Sequence, residues 1–186
     1  MNNVMFKQLI FNLVVVLLWH IVVLFLSKNL DKKMFDSQKY MYQEKKWEKN
    51  GKFYMNNLKI KKWKDMLPQY ISKNGFSKKS MVLTSAHDKK YIERFVLETC
   101  RAEWNHFMCS MYWLILLFVN FIIKNPWVYY FVFSILELLA NLPYLFIQRF
   151  NRIRLKKYIK RIESCPIKID KKEFLNRHVL KPTIEN

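Results

Sequence analysis

The chain has 186 residues, enough for one domain, and pairs 52% hydrophobic with 25% charged residues at a net charge of +19. With only 2 glycines it carries no GxGxxG or GxxxxGK phosphate loop, and its 3 cysteines, Cys100, Cys109 and Cys165, form no CxxC pair, which excludes a disulfide framework or a cysteine zinc site. All but two of the 33 Lys and Arg residues, Lys7 and Lys124, lie between Ser27 and Glu103 or from Gln148 onward, beside rather than within three apolar runs. That is the positive-inside pattern of a membrane protein, and no nucleic-acid partner is expected.

The first run, Leu9 to Leu26, is broken only by Asn12 and His20. At about 1.5 Å per residue it reaches roughly 27 Å, enough to span a bilayer core. Its basic flank follows it, and Leu24-Phe25-Leu26-Ser27-Lys28 offers no small-x-small cleavage site. An uncleaved helix with the N-terminus outside is expected. Residues 27–103 form a basic segment in which Trp, Tyr and Phe alternate with Lys, as in Trp47-Glu48-Lys49-Asn50-Gly51-Lys52-Phe53-Tyr54. Such composition suits the headgroup level of a membrane. Two readings stand for it: a membrane-surface hairpin without chemistry, or the roof of a substrate cavity. Pro68, Asn74 and Gly75 mark a loop.

Ser85 is a candidate N-cap with Asp88 three residues on, opening a helix that is expected to run straight into the second apolar run, 107–123. Lys124-Asn125-Pro126 is a turn, and Pro126 opens the third run, 126–147, with Pro143 as an expected kink. A basic helix then continues to about Glu163, and Pro166 ends it. The expected fold is an all-α membrane protein with about three transmembrane helices, 9–26, 107–123 and 126–147, and a basic amphipathic segment on the membrane surface. Residues 1–157 form one membrane-embedded domain and 158–186 a basic tail. The basic segments are expected on the cytoplasmic side of a cell membrane.

Chemistry concentrates in Glu98-Thr99-Cys100-Arg101-Ala102-Glu103-Trp104-Asn105-His106, where ionisable groups sit at a membrane entrance at considerable cost. Glu103 and His106 share a helical face, which is the spacing of a carboxylate-held base; a histidine bonded at a helix interface is the plainer alternative. Glu98, Arg101 and Asn105 lie on the neighbouring face. Helices joined by a short turn are antiparallel neighbours, which brings Gln148–Arg154 to the same mouth, where Arg149, Arg152 and Arg154 can bind phosphates or simply anchor the helix. Glu137 and Asn141 share an inward face within the third run, so Glu137 is a functional candidate by depth alone. Cys100 as an acyl-carrying nucleophile activated by Arg101 ranks below a buried free thiol.

An ordered series of blocks links these segments. They are Trp47-Glu48-x-x-Gly51-x-x-Tyr54, Lys62-Trp63-Lys64-Asp65-x-Leu67-Pro68, Ser77-Lys78-Lys79, Glu98-Thr99-Cys100-Arg101-Ala102-Glu103-x-x-His106, Asn141-x-Pro143 and Gln148-Arg149-x-Asn151-Arg152-x-Arg154-Leu155. In this series the chain resembles the glycosyl-4,4'-diaponeurosporenoate acyltransferase family of small membrane acyltransferases. It departs from the family pattern at Phe107, Phe150 and Ile153. The resemblance implies esterification of a hydroxyl on a glycosylated carotenoid or similar glycolipid by a fatty acyl chain. The partners are then membrane lipid, a fatty acyl donor such as acyl-CoA as co-substrate, and a glycosylated lipid or carotenoid acceptor, with no cofactor and no metal.

On that basis His106 is expected as general base, with Glu103 orienting it and Glu98 beside it. Arg149, Arg152, Arg154 and Arg101 would bind donor phosphates. Asn141, Asn151 and Gln148 would give polar or oxyanion support, and Trp47 and Trp63 would line the lipid entrance. Two other classes remain open: a non-enzymatic membrane scaffold or accessory subunit, in which Glu103, His106 and Arg149 point apart, and another membrane lipid transferase using a phosphate-rich donor.

Overall fold

A computed structural model of the chain describes residues 3–68, 89–123 and 127–164. The expected Ser85 cap, the Ser77–Lys79 block, the Lys124–Pro126 turn, Cys165 and the tail from 165 lie outside them. Among the described residues every regular element is helical and there is no strand. Helix α1 spans Asn3–Asn29. Two short helices follow, α2 at Lys52–Asn56 and α3 at Ile60–Trp63. Three long elements complete the set: α4 at Lys89–Ser110, α5 at Tyr112–Ile123 and α6 at Trp127–Ser164. Two stretches, Phe6–Asn29 and Phe131–Ser164, are long and apolar enough to cross a membrane. On α1 the large side chains Leu17, Leu18, Ile21 and Phe25 are more than half exposed, an apolar surface that water would not tolerate as a continuous stripe.

The expected single helix through 107–123 is interrupted. Met111 is a turn residue, and its N–H is shared between the carbonyls of Phe107 (3.1 Å) and Met108 (3.2 Å). The Ser110 hydroxyl donates to the same Phe107 carbonyl at 2.7 Å and crowds the acceptor that a regular helix would reserve for Met111. Helix α5 therefore has 12 residues. At about 1.5 Å each it reaches roughly 18 Å, short of a bilayer core. Helix α6, by contrast, continues through Pro143 and past residue 157, so apolar run and basic helix are one 38-residue element.

The most extensive packing is α4 on α6. Ile92 and Val96 bury against Leu155, flanked by Tyr91, Phe95 and Ile159. Tyr112 and Leu116 of α5 meet Phe133 of α6 and Val15, Val16 and Trp19 of α1. The Trp19 indole N–H donates to the Met108 carbonyl at 3.0 Å, and the Tyr112 hydroxyl to that of Asn12 at 3.2 Å. Both bonds tie α1 to the break between α4 and α5.

The segment between α1 and Pro68 is a chain of short turns laid along α6. Tyr54 and Ile60 bury against Phe150 and Ile153, with Phe53, Leu58 and Trp63 around them. Full burial of such side chains contributes about 1.5–3 kcal/mol each. To bring Tyr54 down, the backbone turns through three consecutive left-handed residues: Lys49 (φ 48°), Asn50 (φ 58°) and Gly51 (φ 82°).

One charged lattice locks this segment to the helices. Arg149 of α6 grips the Glu48 carboxylate twice, Nε to Oε1 and Nη2 to Oε2, both at 2.9 Å. Its Nη1 donates to Glu103 Oε1 of α4 at 2.7 Å, and further bonds reach the Met41 and Gln43 carbonyls at 3.0 Å each. Glu48 is fully buried and also accepts from the Tyr54 hydroxyl and the Lys45 N–H, both at 2.5 Å. Arg152 Nη1 lies 2.5 Å from Glu103 Oε2. Burial pushes the Glu48 carboxyl up, but the bonds from Arg149, Tyr54 and Lys45 outweigh it and hold it below the ordinary value.

Replacing Gly51 by Ala should lower stability by about 1 kcal/mol through backbone strain. The new Cβ would meet Ile153 Cγ2 at an ordinary 3.6 Å, so a loss larger than this would point to repacking, and no loss would contradict the left-handed turn. Glu48→Ala leaves Arg149 half-unpaired in a buried site and should cost about 3 kcal/mol in detergent unfolding assays. Because folding depresses the Glu48 pKa, its stabilisation is complete above the unfolded value of 4.5 and is lost as pH falls below it. The acid limb of the wild-type stability curve should flatten in Glu48→Ala; identical limbs would contradict the lattice.

Candidate functional site

His106 lies on the face of α4 that meets α6. Its Nδ1 is 3.0 Å from Asn141 Oδ1. The Asn141 amide nitrogen donates to the Glu137 carbonyl at 2.9 Å and to Glu137 Oε2 at 3.1 Å. A carbonyl can only accept, so the amide NH₂ must face Glu137 and the amide oxygen must face the imidazole. Nδ1 therefore carries the proton, which leaves Nε2 as a bare lone pair. Burial lowers the His106 pKa, the bond to Asn141 partly opposes it, and the nearby His20 lowers it further. At neutral pH the ring is an uncharged base.

Two more contacts hold the ring. Tyr144 of α6 stacks on it at 4.8 Å between centroids and 9° between planes. The Tyr144 hydroxyl donates to the Pro68 carbonyl at 3.1 Å, which brings the end of the basic segment over the histidine. On the far side, His20 Nε2 of α1 is 3.6 Å from Glu137 Oε2, while its Nδ1 meets the Val16 carbonyl at 2.9 Å. A polar line thus runs from α1 through α6 to α4.

A groove of about 320 Å³ opens between α4 and α6, with neither His106 nor Asn141 in its lining. Trp47, Phe107, Leu142 and Phe146 form its apolar walls, and Glu103 and Arg149 its polar end. Phe107 and Leu142 are the sequence neighbours of His106 and Asn141.

Several expected roles change. Glu103 does not hold His106: both its oxygens face arginines, Arg149 and Arg152, and Asn141 holds the imidazole instead. The carboxylate one turn away loses to two guanidiniums because α6 delivers them to the same buried spot. Arg149 is saturated by Glu48, Glu103 and two carbonyls, so it is not free to bind a donor phosphate. Glu98 and Arg101 pair with each other at 2.7 and 2.9 Å on the helix surface, and Arg101 lies over the Phe35 ring at 5.1 Å. Arg154 is exposed and lies over Phe150 at 5.4 Å. Trp47 lines the groove, whereas Trp63 packs near Tyr54 and donates to the Leu58 carbonyl at 2.8 Å.

Asn141 spends its amide protons on Glu137, so it orients the histidine and has no donor left for an oxyanion. Gln148 and Asn151 are half-buried on α6 and take no part in the described network. Cys100 is buried and free, and burial pushes its thiol up to about 11, away from nucleophile chemistry. Of the three residues expected to point apart in a scaffold, Glu103 and Arg149 are bonded and line one groove, whereas His106 bonds Asn141 and is not in that lining.

Sequence reasoning missed His20, Tyr144, Glu48 and Tyr54 as site-building residues. A histidine inside an apolar run was a usable signal for His20. Nothing local marks Glu48, whose partner Arg149 is 101 residues away.

A family model described as glycosyl-4,4'-diaponeurosporenoate acyltransferase matches residues 38–161. That range holds the whole charged lattice, His106, Asn141 and the groove, and leaves α1 outside. Proteins of that name from Staphylococcus aureus are similar over 137 residues, covering 73% of this chain and 78% of theirs. The one from strain bovine RF122 / ET3-1 is 25% identical, that from MRSA252 26% and that from USA300 27%. No solved structure matches the chain. With the family model matching well over half of the chain, this chain belongs to the glycosyl-4,4'-diaponeurosporenoate acyltransferase family, a family of acyltransferase enzymes.

Proposed function

We propose that the protein is a bacterial membrane acyltransferase that esterifies a hydroxyl of a glycosylated carotenoid or similar glycolipid with a fatty acyl chain. The relatives' name supplies the reaction class and the acceptor. The observation that carries the assignment to a site is the bond between His106 Nδ1 and Asn141, which leaves Nε2 unprotonated on a helix whose next residue, Phe107, lines an apolar groove.

The chemistry needs a base, a place for the acyl chain and a way to return a proton. His106 Nε2 takes the proton of the acceptor hydroxyl as its oxygen attacks the acyl carbonyl. The bond from acyl carbon to leaving group then breaks, and the imidazolium gives the proton to that group. Asn141 and Glu137 keep Nδ1 protonated throughout, and Tyr144 fixes the ring plane. The groove between Trp47 and Phe146 holds the chain, and Glu103 with Arg149 forms its polar end. A fatty acyl donor such as acyl-CoA is a co-substrate, and no cofactor takes part. The topology that suits this chemistry has three membrane passages, the second made by α5 together with the last turn of α4, with the N-terminus outside and the basic segments cytoplasmic, where such donors are made.

In purified protein reconstituted into nanodiscs, labelled acyl-CoA and a glycosylated carotenoid should give a labelled ester. His106→Ala should lower turnover by about 10²–10⁴-fold without loss of folding. The depressed His106 pKa places the acid limb of kcat below 6.5, with a plateau above it, because only the neutral ring accepts a proton. Near-normal turnover in His106→Ala would contradict the assignment.

A further inference from the structure

Arg149 is saturated, but the next turns of α6 carry cations that are not. Arg152, 2% exposed, donates through Nε to the Tyr42 carbonyl at 2.9 Å. Its Nη1 is ion-paired with Glu103 Oε2 at 2.5 Å, off the line of a hydrogen bond. It lies in the wall of a second cavity, of about 230 Å³, which Lys156, Lys157, Lys160 and Asn50 also line. Glu44 is the one carboxylate in that lining.

The cations are held in place. Lys156 Nζ donates to the Ser37 carbonyl at 2.7 Å and Lys157 Nζ to that of Asn50 at 2.6 Å. Each ammonium keeps two further protons to offer. Among the described residues none of the three lysines meets a carboxylate within ion-pair distance. Arg152, Lys156 and Lys160 follow at four-residue intervals, one above the other on a single face, where like charges destabilise a helix. An anion between them turns that repulsion into attraction.

One ion pair separates the cavity from the apolar groove. Arg152 lines the first, Glu103 lines the second, and the two are ion-paired. Along α6, Arg149 and Arg152 are separated by roughly 4.5 Å of rise. A molecule with a phosphate-bearing head and an acyl chain would fit one end into each.

We propose that the cavity walled by Arg152, Lys156, Lys157 and Lys160 is a phosphate-binding site, taking the phosphate groups of the acyl donor. It deepens the acyl-transfer reading and rests on it for the identity of the ligand's other end. The same phosphate chemistry occurs in anionic lipid headgroups, so the experiment separates the two sources.

Full-length protein in phosphatidylcholine nanodiscs is titrated with coenzyme A and with phosphate-free pantetheine by calorimetry, without acceptor. Native mass spectrometry counts phosphatidylglycerol retained after mixed-lipid reconstitution. Lys157 and Lys160 are exposed, so Lys157→Gln/Lys160→Gln should fold normally, which thermal unfolding checks. The double variant should weaken coenzyme A binding by about tenfold or more and leave pantetheine unchanged. Lysine-dependent retention of phosphatidylglycerol in place of coenzyme A would assign the same site to a lipid headgroup. Equal binding of both phosphate probes by variant and wild type would overturn the proposal. Because binding is read without turnover, loss of the His106 assignment leaves this result intact, and loss of the phosphate site leaves the His106 result intact.

Discussion

The fold depends on one guanidinium. Arg149 is where the basic segment, α4 and α6 meet, and through Glu48, Glu103 and two carbonyls it fixes their register. A buried charge lattice of this kind is weak evidence for stability, since desolvation consumes most of the Coulombic gain. Its value is specificity. A carboxylate as buried as Glu48 accepts one arrangement of donors, and every other docking of the 30–68 segment on α6 leaves it bare. The apolar contacts of Tyr54 and Ile60 with Phe150 and Ile153 supply the adhesion that the charges do not.

The lattice also decides what His106 can do. By occupying both oxygens of Glu103, the two arginines remove the obvious acidic partner from the histidine. A carboxylate at Nδ1 would raise the ring's pKa and favour imidazolium. The Asn141 amide fixes the same tautomer with no charge, so the ring stays neutral and basic in a buried site. Glu137 and His20 stand behind the amide rather than beside the base. The result is a base held by an uncharged amide, on a helix whose next residue, Phe107, lines an apolar groove that ends in charge.

Much of the helical plan could be read from the chain. The apolar runs, the basic helix to about 163 and the adjacency of Glu98–His106 with Gln148–Arg154 all follow from periodicity and charge. The break at Met111 could not, because it turns on which proton reaches the Phe107 carbonyl. The ordered blocks pointed to the right family. Partner choice was the unreadable part. Glu103 and His106 share a face, but a face does not say which groups a neighbouring helix delivers to it. Arg149 and Arg152 were noticed as cations, yet their carboxylates come from α4 and from Glu48, and only the tertiary fold shows that they are spent. Nothing in the sequence singles out the lysines of the following turns, because their cavity forms only where residues of the 37–50 stretch meet them.

On the proposed reading the protein is a transferase that holds two ends of a lipid-like substrate, with His106 as its neutral base. Comparison of the polar lipids and pigments of cells lacking the protein with those of cells complemented by wild type or by His106→Ala tests that account most directly. Mass spectrometry should show one acylated glycolipid or carotenoid disappear and its unacylated glycosyl precursor accumulate, with rescue by wild type alone. An unchanged acylated pool in the deletion, or full rescue by His106→Ala, would contradict it.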